Sequence, residues 1–481
     1  MALTDSEILR QNRWWTEPAW AGRDPHLDRL ERQPVRLSTE VVITLDLDTP
    51  GIHILRGPRQ VGKSTDLKLL VRRAIDAGRD PRAIVYLALD LLEGQSHAEL
   101  ARTIVRAKEL AGVTDGCVVL LDEVTVVERW QTAVKALWDD GYLRDDVVVC
   151  TGSSAIDLQR GAAERLPGRR EAGLDHLVLP QSFAAFAQAV DASIPPAPRL
   201  RVADLVTPDG AEVLRRARVH MPALQATLER YLRFGGLPAA VAEAASGAHE
   251  PSMETRRVLY DSLVRELQRR GASVAASQAL LERLVRSLGS KTSWSQMARE
   301  MDVPLGRGRG RPSHHTVRDY VELMAAGYFL LIVYYWRSGS ETNEQSKDKK
   351  LLFADPLLHT IALDHAPGLR PDVPALVEDM VGVALYRGYE PPEQMPETFS
   401  LPQRLHIWQT ARGGEVDFVA GPRRELDVVE VKYRGDPGRS AAAAAARAHP
   451  RRPVVLVTKD AFEIGERYSL VPASLLLWAL G

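Results

Sequence analysis

An eight-residue run from Gly57 to Ser64, GPRQVGKS, constrains the fold of this 481-residue chain more than any other feature. It matches the pattern G-x-x-x-x-G-K-S/T at every position and follows an apolar segment, 52–55, that is typical of a buried strand. The glycines let backbone N–H groups surround phosphate oxygens, and the helix expected next adds the positive end of its dipole. The sequence therefore predicts a strand, a phosphate-binding loop and a helix, in that order.

We expect ATP and Mg²⁺ at this loop. The Lys63 ammonium can reach the β- and γ-phosphates, and the Ser64 hydroxyl is placed to coordinate Mg²⁺. The predicted nucleotide contacts are Gly57, Pro58, Arg59, Gln60, Val61, Gly62, Lys63, Ser64 and Thr65. The alternative is a glycine-rich turn that merely precedes a helix.

A second motif lies downstream, where the apolar run 118–121 ends in Asp122 and Glu123. In phosphoryl-transfer sites, an acid after a buried strand holds Mg²⁺, and a neighbouring acid can polarise the attacking water. We therefore predict that Asp122 contacts the nucleotide and its Mg²⁺, and that Glu123 and Lys63 are catalytic. The alternative for the acidic pair is a solvated strand end.

Three further residues are candidates for the same site. Ser153 follows a strand candidate at 147–150, at the edge where ligands of parallel sheets bind, and is predicted to sense the γ-phosphate. A helix N-cap is the other interpretation of this serine. Arg169 or Arg170 is predicted to act as an arginine finger in a neighbouring subunit, whereas an exposed arginine without a catalytic role is the default.

Apolar strand candidates alternate with helical segments between residues 51 and 180. The candidates are 52–55, 83–89, 118–121, 147–150 and 177–179. Such alternation predicts an α/β fold with a parallel sheet. Because 83–89 lies between the two motifs in the sequence, the strands that carry those motifs need not be adjacent.

The net charge, the two cysteines and the longest apolar run limit the partners and the location that we expect. The formal net charge is −1, so there is no overall basic field, and contact with nucleic acid would have to come from local patches. Cys117 and Cys150 lie in apolar segments and are predicted to be buried thiols. The longest apolar run, 323–336, is shorter than the ~20 residues that cross a bilayer. We therefore expect no membrane contact and a cytoplasmic location.

Together these motifs resemble those of AAA+-related ATPases of bacteria and archaea that carry a C-terminal domain of long-uncertain function. Further matching segments are Gly168-Arg169, PQSF at 180–183 and FGGLP at 234–238, and a subgroup shares NRWW at 12–15 and KKLLFADP at 349–356. The resemblance implies an AAA+-like core, a helical lid, a winged helix-turn-helix and a restriction-endonuclease-like α/β domain. The chain departs from the family in having no lid arginine of the sensor type beside Gly235 and Gly236.

The expected domains follow from this resemblance. They are an N-terminal helical segment at 1–50, the P-loop ATPase core at 51–180, the helical lid at 181–255, the winged helix at 256–348 and the nuclease-like domain at 349–481. The sequence leaves the role of Trp14 and Trp15 near the start open: an aromatic pair near a terminus is more often a packing anchor than a base-stacking platform.

The middle of the chain predicts a DNA contact. Helix candidates at 277–288, 293–301 and 314–326 precede a strand at 328–336, an order that suits a winged helix. A loop of alternating glycine and arginine joins the last two helices, and a further arginine lies one turn into the third helix. The predicted DNA-binding residues are Arg307, Arg309, Arg311 and Arg318. The alternatives are a solvated loop and a module that docks a protein.

The C-terminal part resembles PD-(D/E)XK nucleases. Two strands joined by a turn at 421–424 place Glu430 and Lys432 on one face, because strand side chains alternate. The resemblance implies that Asp417 and Glu430 bind Mg²⁺, that Lys432 activates water, and that Glu378 on a helix at 375–386 supplies a further acid. The alternatives are a salt-bridged sheet surface and a domain that binds DNA without cleaving it.

Two functions from different classes follow. The first is an ATP-hydrolysing motor that remodels or unwinds DNA in repair or recombination, assembled as a homo-oligomer or ring, with metal-dependent cleavage as an added activity. The second is a nucleotide-gated signalling or defence switch whose winged helix docks a protein partner. DNA stimulation of ATP hydrolysis distinguishes them.

Overall fold

The chain forms two compact units, Met1–Leu179 and most of the remainder from Pro180 to Gly481. This computed structural model describes residues 2–152, 175–269, 271–301, 311–336, 348–390, 399–409, 415–422, 425–434, 446 and 454–481. The predicted lid, winged helix and nuclease-like domain all lie within the second unit. Their separation into three domains stays a prediction.

A five-stranded parallel sheet forms the centre of the first unit. The strands are β1 Gly51–Arg56, β2 Ile84–Ala88, β3 Val118–Asp122, β4 Val147–Thr151 and β5 Asp175–Leu177. Their order is β2-β3-β4-β1-β5, and every pair is parallel. Nearly all their apolar residues are buried, as expected for strands covered on both faces. The parallel sheet predicted from the alternation is therefore present.

The strands that carry the two motifs are not neighbours. β4 lies between β1 and β3, so the loop that follows β1 and the acids that end β3 lie at the same edge of the sheet, one strand apart. The strand that separates β1 from β3 in the sheet, β4, is therefore not the strand that lies between the two motifs in the sequence. β2 lies between the two motifs in the sequence, but it pairs with β3 at the end of the strand order.

Helices surround this sheet. The α-helices are Asp5–Gln11, Pro25–Arg32, Val41–Thr44, Lys63–Asp76, His97–Ala111 and Trp130–Asp139, and the 3₁₀ turns are Arg13–Trp15, Trp20–Arg23, Pro81–Ala83, Asp90–Leu92 and Val124–Val126. The second helix shows why they begin where they do. Asp24 caps it by accepting from the N–H groups of His26 (2.9 Å) and Leu27 (3.2 Å), and Pro25 occupies its first position.

Side-chain amides from the N-terminal segment satisfy the outer edge of β2. The Asn12 amide accepts from the Tyr86 N–H (2.7 Å) and donates to the Tyr86 carbonyl (2.9 Å). The Gln11 amide does the same for Ala88, with distances of 2.8 and 3.3 Å. These two side chains supply the bonds that a further strand would otherwise make, which removes an edge available for pairing with another chain.

Trp14 and Trp15 complete this edge. Both indole N–H groups donate to the carbonyl of Ile84, at 3.0 and 2.9 Å, and both side chains are buried. The indoles are therefore packing anchors of the sheet, as the sequence suggested. Cys117 and Cys150 are also buried thiols, as expected.

Replacing Asn12 by Ala should destabilise the first unit. The substitution leaves both backbone groups of buried Tyr86 without partners, at about 1–3 kcal/mol for each group. Urea denaturation followed by tryptophan fluorescence measures the loss. Gln33→Ala removes an amide outside this edge and serves as the control. An Asn12→Ala protein as stable as the control would show that the edge bonds contribute nothing.

The second unit contains a mixed sheet and a hairpin. β8 Leu405–Gln409, β9 Glu415–Ala420, β10 Asp427–Lys432, β11 Val454–Thr458 and β12 Tyr468–Pro472 form the sheet in the order β12-β11-β10-β9-β8. β8, β9 and β10 are antiparallel, and β10, β11 and β12 are parallel. The strands predicted around the turn at 421–424 are β9 and β10; residues 423 and 424 lie outside the described residues. A separate antiparallel pair joins β6 Leu330–Val333 to β7 Lys350–Phe353.

Its helices are mostly short and apolar on one side. They are Phe183–Val190, Val202–Leu205, Pro208–Ala217, Met221–Phe234, Pro238–Ala245, Met253–Arg269, Val274–Arg286, Trp294–Arg299, His314–Ala326, Pro356–Asp364, Val373–Tyr389 and Ala473–Leu480, with a 3₁₀ turn at Arg218–His220. The three helices expected at 277–326 are present in order before β6. The helix expected at 375–386 extends further at both ends.

Three motifs that carried the family resemblance meet at one buried junction in this unit. The N–H of Gln181 donates to the carbonyl of Gly236 (2.7 Å), and the N–H of Gly236 donates to Asp355 (2.7 Å). A Cβ on Gly235 would lie 1.9 Å from Asp355, and one on Gly236 would lie 2.0 Å from the Gln181 carbonyl. Asp355 is fully buried, and burial raises its pKa to about 6. The paired glycines are therefore required by close packing.

Candidate nucleotide site and carboxylate cluster

The loop between β1 and the helix Lys63–Asp76 has the backbone of a phosphate cradle. Gly57, Gln60 and Gly62 have positive φ angles of 154°, 66° and 102°. A Cβ on Gly57 would lie 2.1 Å from the carbonyl of Val178, so only glycine fits there. Gly62 caps the helix without a side chain, which leaves the N–H groups of the first turn directed at the loop.

Lys63 lies inside this cradle. Its ammonium donates to the carbonyls of Gly57 and Pro58, both at 2.9 Å, and the residue is buried. Burial lowers the pKa of Lys63 to about 8, while the charges of Glu123 and Asp122 act to raise it. The two neutral carbonyls are weaker partners for an ammonium than a phosphate oxygen would be. The Lys63 ammonium is thus held at the place where an anion would bind.

Two hydroxyl groups hold the Asp122 carboxylate from the neighbouring strands. Tyr86 on β2 donates to Oδ2 at 2.9 Å, and Thr151 on β4 donates to Oδ1 at 2.5 Å. The same Thr151 oxygen accepts from the N–H of Glu123 at 3.3 Å. Asp122 is buried, so these bonds both compensate its charge and fix its orientation.

Glu123 has a left-handed backbone, with φ 59° and ψ 40°. This conformation is uncommon for a residue other than glycine, and such departures concentrate at functional sites. The turn that follows, Val124–Val126, packs closely on the end of β4, where a Cβ on Gly152 would lie 2.5 Å from the Thr125 side chain. The turn of the chain therefore sets the direction of Glu123 at the sheet edge.

The structure brings together most of the residues predicted for the nucleotide site. Ser64 and Thr65 are half-buried in the first turn of the helix, Arg59 is half-buried and Gln60 is exposed. Lys63, Asp122 and Glu123 lie close enough for their charges to interact. Ser153, Arg169 and Arg170 lie outside the described residues, so their roles stay predictions.

Sequence reasoning missed Tyr86 and Lys68. The Lys68 ammonium lies 3.4 Å from the centre of the Tyr86 ring and 3.4 Å from the Asp24 carboxylate. Burial lowers its pKa to about 8. The contacts run from Asp24 through Lys68 and Tyr86 to Asp122, and so connect the N-terminal segment to the acid of the second motif. The sequence did contain a signal for these contacts, because each of the two strands that flank β3 carries a residue with a hydroxyl group.

The acids predicted for the nuclease-like site also converge. We call Glu378, Asp417 and Glu430 the carboxylate cluster. The Lys432 ammonium lies 2.7 Å from Glu430 and 3.6 Å from Asp417, as the shared face of the strand predicted. Among the described residues, no three His, Cys, Asp or Glu side chains are arranged to hold a metal ion.

An unpredicted lysine enters this cluster. The Lys350 ammonium lies 2.6 Å from Glu378 and 2.9 Å from Asp417. Burial opposes its charge, but Asp417 and Glu378 together raise the pKa of Lys350 above its usual value. Burial also raises the pKa of Glu378 to about 7, although the charge of Lys350 acts to lower it. For Asp417, Lys350 and Lys432 outweigh burial and hold the pKa below its usual value.

The predicted DNA contacts are only partly described. Arg307 and Arg309 lie outside the described residues, and Arg311 is exposed. Arg318 is exposed on the helix His314–Ala326, where its guanidinium lies 2.7 Å from Glu322. This pairing raises the pKa of Arg318 and partly neutralises its charge.

Two family models match parts of the chain. Residues 49–187 match an AAA domain, and residues 225–366 match a domain of unknown function, DUF8612. No curated protein matches the chain. The match to the AAA domain covers the loop Gly57–Ser64, the parallel sheet and the acidic end of β3 described above. The second model covers the helices and hairpin at the centre of the chain and assigns them no activity.

Solved structures show distant likenesses. The ORC2 protein of Aeropyrum pernix is 10% identical, covers 67% of this chain and 90% of its own, and has a TM-score of 0.31. DnaA of Aquifex aeolicus is 15% identical, covers 63% of this chain and 86% of its own, and has a TM-score of 0.24. RuvB of Thermotoga maritima is 11% identical, covers 66% of this chain and 92% of its own, and has a TM-score of 0.27. With TM-scores below 0.5, these likenesses support no conclusion about this chain. Among the described residues, no helix has the length and apolar character needed to cross a membrane.

Removing the Tyr86 hydroxyl should impair the Asp122 site without unfolding the unit. We expect Tyr86→Phe to lower ATP hydrolysis about tenfold or more, because a partner that orients Asp122, the acid predicted to bind Mg²⁺, is lost. Tyr142→Phe removes a hydroxyl that donates to the Val105 carbonyl instead and serves as the matched control. Steady-state phosphate release measures both variants. Equal rates for the two would show that Tyr86 does not position Asp122.

Proposed function

We propose that this protein is an ATPase that binds MgATP on the loop Gly57–Ser64 and couples hydrolysis to remodelling of DNA. One observation carries the proposal. The Lys63 ammonium, stored within the loop, shares an electrostatic environment with Asp122 and Glu123 at the carboxyl edge of the sheet. This combination of a cation for the phosphates and two acids for metal and water is what phosphoryl transfer requires.

The residues at this edge fit a magnesium ion. The Ser64 hydroxyl and the Asp122 carboxylate are the hard oxygen ligands that Mg²⁺ prefers, and each Asp122 oxygen retains acceptor capacity beyond its one described hydroxyl bond. When bound, Mg²⁺ neutralises charge on the β- and γ-phosphate oxygens. Tyr86 and Thr151 orient Asp122 from either side, so the acid need not reorganise when the nucleotide binds.

The remaining residues have distinct roles in this proposal. Lys63 exchanges its carbonyl partners for β- and γ-phosphate oxygens, and the first-turn N–H groups of the helix bind the same anion. Glu123 accepts a proton from the attacking water, or orients it, from a position fixed by its left-handed backbone. An arginine from a neighbouring subunit, Arg169 or Arg170, would complete the site in a homo-oligomer or ring.

Two variants should separate nucleotide binding from hydrolysis. Lys63→Ala is expected to weaken ATP binding and to lower the hydrolysis rate about 100-fold or more, since a preorganised positive charge is lost. Glu123→Gln should bind MgATP as the unchanged protein does and hydrolyse it at a comparably reduced rate. Binding is measured with a fluorescent ATP analogue, and hydrolysis by phosphate release.

A folded Lys63→Ala protein that still hydrolyses ATP at the full rate would refute the site. Folding of both variants is checked by their thermal unfolding. The oligomer is tested separately through the dependence of specific activity on protein concentration, which should rise as subunits assemble if Arg169 or Arg170 acts across an interface.

The DNA part of the proposal rests on the centre of the chain. Three helices, Val274–Arg286, Trp294–Arg299 and His314–Ala326, precede the β6–β7 hairpin. This order is the one expected of a winged helix, and Arg311, the last arginine of the predicted glycine-arginine loop, is exposed just before the third helix. Guanidinium groups on such a loop can reach phosphates irrespective of base sequence.

A second candidate function has its own supporting observation. The exposed face of the helix His314–Ala326 carries Arg318 beside Asp319, and Arg318 is paired with Glu322. One basic and two acidic side chains give this face no net positive charge, which is unfavourable for contact with DNA phosphates. A nucleotide-gated switch that docks a protein on this face would not require such a charge.

DNA stimulation distinguishes the two functions. For the motor, ATP hydrolysis should rise severalfold on adding single-stranded, duplex or branched DNA, whereas a rate indifferent to DNA supports the switch. Replacing Arg307, Arg309 and Arg311 together by Gln should weaken DNA binding and reduce the slope of its salt dependence by up to about 3. Arg216→Gln, an exposed arginine of another helix, is the control. Unchanged affinity in the triple variant would place the contact elsewhere.

A further inference from the structure

The carboxylate cluster is already occupied by side-chain cations. The Lys350 ammonium lies between an oxygen of Glu378 at 2.6 Å and an oxygen of Asp417 at 2.9 Å. The Lys432 ammonium lies 2.7 Å from Glu430, the third acid. A bound Mg²⁺ would gather oxygen ligands at about 2.1 Å around one point. The Lys350 nitrogen stands where Glu378 and Asp417 would otherwise share that ion.

The position of Lys350 is fixed by its backbone. It is the first residue of β7 and pairs with Val333 of β6. The preceding residue, Lys349, exchanges two backbone hydrogen bonds of 2.9 Å with Thr292. The Lys350 side chain is only 4% exposed. Since the ammonium is held at the end of an anchored, buried strand, it is a built part of the cluster rather than a mobile surface group.

Among the described residues, ammonium groups offset most of the negative charge around the cluster. Glu415 adjoins the cluster and pairs with Lys291 at 2.9 Å. Four carboxylates, Glu378, Glu415, Asp417 and Glu430, therefore face three ammonium groups, Lys291, Lys350 and Lys432, for a formal total of −1. A divalent cation added to this set would lie beside an ammonium of like charge, which is costly in a buried site.

We propose that the Lys350 ammonium permanently takes the place of a divalent cation between Glu378 and Asp417. The C-terminal sheet then carries a metal-independent ion-pair network that ties β7 to β9 and to the helix Val373–Tyr389, instead of a hydrolytic metal centre. Cleavage of phosphodiesters by this set, which the resemblance to nucleases led us to expect as an added activity, is accordingly absent from the unmodified protein.

Direct metal binding tests the proposal. The full-length, nucleotide-free protein is titrated with Mn²⁺, and bound ion is measured by electron paramagnetic resonance. The unchanged protein should bind no Mn²⁺ that depends on Asp417. Lys350→Met keeps the length of the side chain and removes its charge, and it should gain one Mn²⁺ site with a Kd on the order of 1 mM or tighter, as for weak carboxylate sites. Adding Asp417→Asn to that variant should abolish the site.

Lys350→Arg is the matched control, because it keeps the positive charge and should bind no more Mn²⁺ than the unchanged protein. Two results overturn the proposal: Mn²⁺ bound by the unchanged protein and lost with Asp417→Asn, or a folded Lys350→Met protein that gains no site. If Lys350→Met folds only with metal, its recovery in MnCl₂ but not in KCl supports the proposal, and failure in both counts against it.

These measurements do not depend on the proposed ATPase. They use protein without nucleotide, and every variant lies in the second unit. A failure of the Lys350 proposal would leave the Lys63 experiments unaffected, and a protein that hydrolyses no ATP could still show the predicted exchange of lysine for metal.

Discussion

The site in the first unit depends on the orientation of a buried carboxylate, Asp122, at the edge of a parallel sheet. Such a sheet has both faces covered, so an acid at the end of a central strand is partly removed from water. Hydroxyls on β2 and β4 compensate it from both sides. The strand order makes this possible, since β2 and β4 flank β3 in the sheet. The strand order therefore determines which side chains can donate hydrogen bonds to Asp122.

The N-terminal segment also helps to orient Asp122. Its amide and indole groups satisfy the outer edge of β2, the strand that carries Tyr86. Lys68 then lies against the Tyr86 ring and beside Asp24, so the phenol is held by contacts on its face as well as through its strand. The N-terminal segment thus contributes to the orientation of Asp122 through two intermediate side chains, Lys68 and Tyr86.

Local patterns were enough to predict the loop, the parallel sheet and the two acids, because each depends on residues adjacent in the sequence. The partners of those acids depend on pairing between distant strands. Tyr86 lies 36 residues from Asp122, and Lys350 lies 67 residues from Asp417. The insertion of β4 between β1 and β3 was equally invisible in spacing alone. Alternation on β10 did place Glu430 and Lys432 on one face, but it could not show which cation the acids would receive.

The segment from Lys349 to Asp355 shows why a motif can mark structure instead of catalysis. Lys350 ends in the carboxylate cluster, and Asp355, five residues later, receives the N–H of Gly236 at the junction of three motifs. β7 and the two residues that follow it thus position a buried lysine and a buried acid, and each contacts a different part of the second unit. Breaking one partner of a buried pair is far costlier than replacing both. Residues that compensate each other in this way must change together, which ties the sequence of β7 to those of the helix Val373–Tyr389 and the β9–β10 hairpin.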